Sequence, residues 1–212
     1  MDYTELRSAV IEGNPDKAIS LTRRALDQGV APERLITEGL LPGLAVVGER
    51  FKKGEMFVPE VLMSARVMNS CLQIVRPLVV GTELPTKGRV ALGTVKGDLH
   101  DIGKNLVGML LEASGFQVID LGIDVDEIKF IKAVRESSAE ILGMSALLTT
   151  TMLHMKDVVD TLKEEGLRER VKVMVGGAPV TRQFAEEIGA DGYAPDAASA
   201  VDLARQLVGD TA

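Results

Sequence analysis

The chain has one cysteine, no tryptophan, two histidines and 3% aromatic residues in a length of 212. A single cysteine excludes a disulfide within the chain and any site built from several thiolates. Cys71, inside Val67-Met68-Asn69-Ser70-Cys71-Leu72, reads as a small packed residue of a helix. No run approaches the roughly 20 apolar residues that cross a bilayer. The amino terminus has no basic stretch leading into an apolar one, so no membrane role is expected and the expected location is cytoplasmic. Basic residues are also few: 24 Lys and Arg against 31 Asp and Glu give a net charge of −7, which leaves no basic face for nucleic-acid phosphates.

What remains is a globular composition, 46% apolar and 26% charged, long enough for one large or two modest cores. The turn-rich stretch Gly81-Thr82-Glu83-Leu84-Pro85-Thr86-Lys87-Gly88 separates helical periodicity from alternating strands and helices, predicting domains over 1–84 and 85–212. Upstream, helices are predicted over 3–12, 15–28, 32–51 and 59–80, with proline at or near the start of the last three. Turns as short as Gly13-Asn14-Pro15 imply antiparallel neighbours in a small bundle. Downstream, strands are predicted over 89–95, 117–121, 141–145, 171–175 and 192–194, alternating with amphipathic helices. That alternation predicts an α/β domain, a parallel sheet covered on both faces.

Ligands of such sheets collect at the carboxyl ends of the strands, where the strand order reverses. The exit of the first strand is Gly97-Asp98-Leu99-His100-Asp101-Ile102-Gly103. An imidazole that binds a metal is deprotonated on the coordinating nitrogen and is usually oriented through the other by a carboxylate or carbonyl, a part open to Asp98. The same residues read equally as a strand-to-helix loop in which Asp98 caps the helix. Phosphate loops fit poorly: five residues separate Gly97 from Gly103 where a Walker loop has four, Asn105 occupies the place of its serine or threonine, and no Gly-x-Gly-x-x-Gly occurs. Two further strand ends are unusual, Ser145-Ala146-Leu147 with Thr149-Thr150-Thr151, and Gly176-Gly177-Ala178-Pro179. Each alone is commonly a helix cap or a tight turn, but all three lie on one edge of the sheet.

Taken in order, Asp98-x-His100-x-x-Gly103, Ser145-x-Leu147 and Gly176-Gly177 resemble the cobalamin-binding domain of methionine synthases and of the corrinoid proteins of anaerobic methyltransferase systems. Phe51-Lys52-Lys53-Gly54-Glu55-Met56-Phe57-Val58-Pro59-Glu60-Val61, with Ser64-Ala65-Arg66-Val67-Met68, resembles the helical cap of the same families. The resemblance implies a helical bundle cap followed by a flavodoxin-like, Rossmann-type five-stranded parallel sheet. It implies cobalamin or a related corrinoid bound base-off, with His100 as the lower ligand of the cobalt. The displaced nucleotide tail would run beside Ser145, Leu147, Gly176 and Gly177, with Gly97, Asp101, Ile102, Gly103 and Thr149 also against the cofactor. Thr151, aligned with a serine of those enzymes, would complete a proton relay with Asp98 and His100. Tyr193 and Asp196 lie where the family's tail ends, although Asp196 reads equally as a helix N-cap. Phe51, Val58 and Val61 match positions covering the methyl face of the corrin, and each reads equally as bundle core. His154 is read as a surface or packing residue one turn into a helix.

By resemblance the chain is a carrier that is not an enzyme on its own. It would accept a methyl group on Co(I) from a substrate:corrinoid methyltransferase and pass it from methyl-Co(III) to a second methyltransferase acting on tetrahydrofolate or a thiol. A corrinoid reactivase is a further implied partner. No barrel-sized domain, zinc thiolate site or reactivation domain accompanies the motifs. The alternative is a cobalamin-binding light or ligand sensor, whose photoreceptor members place a tryptophan over the corrin, a residue this chain lacks.

Overall fold

Proline sets the helix starts of the amino-terminal part. In the computed structural model, which describes residues 3–78 and 86–209, α1 (Thr4–Ile11) is followed by α2 (Pro15–Asp27), with Pro15 in its first turn and the Asn14 side chain accepting the Lys17 amide at 3.1 Å. The cap satisfies an amide that has no partner inside the helix, and the fixed φ of proline suits the first turn. The single helix expected over 32–51 is instead α3 (Pro32–Arg34), a π-helical stretch Leu35–Leu40 and α4 (Leu41–Lys52). Pro42 has no amide hydrogen for the carbonyl four residues earlier, so the ladder is loosened just before it. α5 (Val58–Val75) begins where Glu60 accepts the Phe57 amide at 2.8 Å. Its residues Val61, Ser64, Ala65, Met68, Cys71, Leu72 and Val75 form one buried stripe at helical spacing, and α5 contacts α1, α2 and α4. A short 3-10 turn, Arg76–Leu78, follows. The rest of the fourth expected helix, 79–80, and the expected boundary at 84 and 85 lie outside the described residues. The fold divides into two units, Met1–Thr86 and Lys87–Ala212.

The second unit alternates strand and helix: β1 (Arg89–Val95), α6 (Ile102–Ala113), β2 (Gln117–Val125), α7 (Glu127–Ser137), β3 (Ile141–Ser145), α8 (His154–Glu164), β4 (Lys172–Gly176), α9 (Arg182–Ile188), β5 (Gly192–Ala194) and α10 (Ala197–Leu207). All pairings are parallel and the order is β2-β1-β3-β4-β5. α6 packs with α10, whereas α7 packs with α8 and α8 with α9, so helices cover both faces. Burial on both faces explains the continuous apolar run of β1, whose residues Val90 to Val95 are all buried. The chain leaves β1 toward β2 on one side and reaches β3 on the other, so the exits of β1 and β3 flank the switch point of this flavodoxin-like sheet.

Candidate functional site

The turn after β1 is tied down by hydrogen bonds at Gly97, Asp98 and His100. Gly97 has φ +76°, a left-handed conformation glycine adopts without strain. Its amide donates to Asp124 Oδ1 at 2.7 Å, and the Asp98 amide donates to the Val95 carbonyl at 3.1 Å. The side chain of Thr94, buried in β1, donates to the His100 carbonyl at 2.9 Å. Asp98 is completely buried. Its Oδ1 accepts from the His100 amide at 3.0 Å and lies 2.7 Å from His100 Nδ1, while its Oδ2 accepts from the Leu147 amide at 2.8 Å and from Thr151 Oγ1 at 2.6 Å.

A buried carboxylate without such donors would protonate. Burial pushes the Asp98 carboxyl up, but the bonds from Thr151, Leu147 and His100 outweigh it and hold the group well below the ordinary carboxylate range. An ionised acceptor requires Nδ1 to carry a proton, and in the neutral ring this leaves Nε2 with a free lone pair. The His100 side chain is 51% exposed while its anchor is 0% exposed, so the ring stands out from a rigid base.

Among the described residues no three His, Cys, Asp or Glu side chains are grouped to hold a metal ion. One oriented imidazole can therefore supply only a single ligand, and a metal held here must bring its other donors with it, as a macrocycle does. The surroundings suit a large apolar ligand. Leu99 and Ile102 beside His100 are 67% and 75% exposed, and Leu147, Leu148 and Leu153 after β3 are 44%, 43% and 58% exposed. These residues fit a corrinoid: one nitrogen ligand, firmly backed, within an apolar rim.

Of the other residues singled out in the sequence, Asp101 is the N-cap residue of α6 without a side-chain capping bond, its carboxylate accepting instead from Asn105 Nδ2 at 3.0 Å. Gly103 is exposed in the first turn of α6 and faces open space where a Cβ would be. Ser145 is half-buried at the end of β3, and Thr149 is exposed. The threonine run is not a helix cap: α8 starts only at His154, Leu153 precedes it without a side-chain bond, and Thr151 donates to Asp98 and to the Leu148 carbonyl. His154 opens α8 and pairs with Asp157 at 2.9 Å. Asp196 caps α10, accepting the Ser199 amide at 2.8 Å, and Tyr193 is half-buried against the core.

The two glycines after β4 have a reason within the protein. A Cβ on Gly177 would stand 1.8 Å from the Ala146 carbonyl oxygen and one on Gly176 2.8 Å from that of Ala194. Backbone approach between neighbouring strand exits thus demands glycine whether or not a ligand tail passes by. In the first unit, Phe51 and Val58 are half-buried, whereas Val61 is fully buried in the α5 stripe and belongs to the core. The exposed large apolar residues among those described there are Val46, Phe57, Met63 and Leu78. Thr94 and Asp124 are functional positions that the motifs do not mark: Gly122 reads in the sequence as the end of the strand, and β2 continues through it to Val125.

Models of B12 binding domains match the chain twice, over residues 3–76 and 88–202. A corrinoid protein of Desulfitobacterium hafniense strain Y51 is 44% identical over 208 residues, covering 97% of this chain and 96% of that protein. Dimethylamine corrinoid protein 2 of Methanosarcina acetivorans is 43% identical over 205 residues, covering 96% and 94%. Among solved structures, a chain of the methanol:cobalamin methyltransferase complex of Methanosarcina barkeri superposes with a TM-score of 0.85 at 34% identity, over 98% of this chain and 79% of that one. With two matching domain models and such identity along almost its whole length, the chain belongs to the family of B12-binding corrinoid proteins.

Proposed function

We propose that the protein is the methyl-carrying subunit of a corrinoid-dependent methyltransferase system, not an enzyme on its own. The observation that carries this reading is the Asp98–His100 pair, a buried ionised carboxylate holding one imidazole nitrogen at 2.7 Å and turning the other outward. When bound there, a corrinoid supplies a cobalt that takes up a methyl group as Co(I) and surrenders it to an acceptor nucleophile. His100 is the residue that would hold that cobalt, through Nε2. Asp98 fixes the ring and stabilises a proton on Nδ1, and Thr151, donating to Asp98 at 2.6 Å, gives the pair a third member through which a proton can be shared. Ser145, Leu147 and the Gly176-Gly177 turn edge the crevice in which the nucleotide tail would lie, with Tyr193 at its far end. The exposed apolar side chains of Leu99, Ile102 and Leu148 would cover a corrinoid bound there and exclude water from it.

The structural relative from the methanol system, solved in complex with a methyltransferase, supports a methyltransferase partner, and in this reading there are two. One is a substrate:corrinoid methyltransferase that loads the carrier, and the other a second methyltransferase that unloads it to tetrahydrofolate or a thiol. A reactivase that returns oxidised cobalt to service is a third. In this reading the carrier works in the cytoplasm; among the described residues no helix is long and apolar enough to cross a membrane.

The test is an ultraviolet-visible spectrum of the chain incubated with hydroxocobalamin and desalted, beside His100→Ala, followed by anaerobic reduction and methyl iodide. The expected result is one retained corrinoid per chain, a ligand-field spectrum lost in His100→Ala, and conversion to Co(I) and then to the methylated form. Absence of retained corrinoid overturns the reading.

A further inference from the structure

Edge strand β2 continues to Val125, and near its end it is irregular: its register with β1 slips after Leu92 and again before Val95, Gly122 has φ +83° and Asp124 has φ +51°. A non-glycine residue in the left-handed region is uncommon, and aspartate is among those that tolerate it best. Strain of this kind persists only where the surroundings enforce it. Here it places the amide and the carboxylate of Asp124 on the His100 turn. The Gly97 amide donates to Asp124 Oδ1 at 2.7 Å, and the Asp124 amide donates to the Asp98 carbonyl at 3.1 Å.

A second tie fastens the other end of the turn to the same strand. Lys104, in the first turns of α6 with a side chain only 2% exposed, donates to Asp120 Oδ1 at 2.6 Å, and the Gly122 amide donates to that same oxygen at 2.8 Å. The segment from Gly97 to Lys104 is thus gripped at both ends by the irregular tail of β2, while Asp98 grips it from the β3 side through Leu147 and Thr151.

We propose that Asp124 is a positioning residue for His100: it clamps Gly97 and Asp98 so that the imidazole is aimed before any ligand arrives, with Lys104–Asp120 as the second anchor. The inference rests on the reading of His100 as the cobalt ligand. A turn that must be ordered on binding weakens affinity by the entropy of ordering it, and a clamp fixed by the fold removes that cost.

Three full-length variants separate the clamp from the strain. Asp124→Asn accepts the left-handed conformation and keeps a side-chain carbonyl for the Gly97 amide. Asp124→Gly accepts the conformation and loses the acceptor, and Asp124→Ala loses the acceptor and adds strain. Two readouts need no cofactor: hydrogen-exchange protection of the Gly97 amide, and the fraction of His100 in the Nδ1–H tautomer by nitrogen NMR. A third is the dissociation constant for hydroxocobalamin with the spectral fraction in which histidine is ligated. Asp124→Asn is expected to match the parent in all three. Asp124→Gly is expected to keep the parent's circular dichroism but to lose Gly97 protection, broaden the tautomer ratio and bind about fivefold to tenfold more weakly, the scale of one lost hydrogen bond. Unchanged protection and tautomer ratio in Asp124→Gly, or an Asp124→Asn as impaired as Asp124→Gly, overturns the clamp. A parent protein that retains no corrinoid sinks the ligand reading, and the two cofactor-free readouts still decide whether Asp124 aims His100.

Discussion

At the scale of single residues, Asp98 concentrates the chemistry, and its environment makes a pH prediction. Its carboxyl titrates below the ordinary range in the folded chain because hydrogen bonds from Thr151, Leu147 and His100 outweigh burial, whereas in the unfolded chain it titrates near the usual ~3.9. A folded-state value below the unfolded one means that the stabilisation is complete above the unfolded value and is lost as pH falls through the folded one. In the cofactor-free protein, Asp98→Asn is therefore expected to lower the unfolding free energy by about 1–3 kcal/mol at neutral pH, the scale for disturbing a buried hydrogen-bonded group. The gap should stay level down to about pH 5 and narrow below about pH 4. Urea titrations at several pH values measure it, and parallel acid limbs would sink the account. The pair itself was legible in the sequence, because Asp98 and His100 stand two residues apart on one turn. Asp124 was not, since its role depends on a left-handed backbone and a neighbouring strand that spacing does not encode. Gly176 and Gly177 were legible as necessary glycines, but the backbone that demands them, at Ala146 and Ala194, belongs to other strand exits.

At the scale of elements, the break in the expected helix over 32–51 carries its own compensation. Pro42 cannot donate to the Glu38 carbonyl, and that carbonyl accepts Arg7 Nε and Nη2 from α1 at 2.9 and 2.7 Å. α1 can approach because Gly43 lies against it: a Cβ there would meet Val10 Cβ at 3.0 Å and the Arg7 carbonyl at 3.1 Å. Arg7→Ala is expected to destabilise the bundle by about 1–2 kcal/mol, the range for a hydrogen bond to a charged donor. In a Pro42→Ala background, where the helix regains its own donor for Glu38, the loss should be smaller. A double-mutant cycle by chemical denaturation measures this coupling, and additive losses would separate Arg7 from the π stretch. The proline was visible in the sequence, but the widened turn and its arginine were not, because a helix start at Leu41 mid-way through an apolar periodic run looks like continuation. Strands β1 and β5 have the expected limits because each apolar run ends in a polar-glycine turn or a proline, and β3 also ends where expected, at Ser145. β2 runs four residues past the expected 121 because Gly122 reads as a stop where the chain only bulges.

At the scale of the whole molecule, an acidic chain of two compact units carries one imidazole backed by a buried carboxylate, and binding at that imidazole must show as stability. A ligand that binds only the folded state stabilises by mass action, about 2.7 kcal/mol at one hundred times its dissociation constant. The chain supplies its own reporters, because it has no tryptophan and two tyrosines, Tyr3 in the helical unit, buried, and Tyr193 on β5. Tyr3→Phe leaves Tyr193 as the sole tyrosine, so its fluorescence follows the sheet unit alone. Hydroxocobalamin is expected to move the urea midpoint of this variant upward in proportion to the logarithm of free ligand, and the added His100→Ala substitution should remove most of the shift. A midpoint indifferent to the corrinoid would detach the apolar rim and the Asp98–His100 pair from ligand binding, whereas a full shift persisting in His100→Ala would assign the binding energy to the rim and crevice and leave the imidazole a role in the cobalt's chemistry alone.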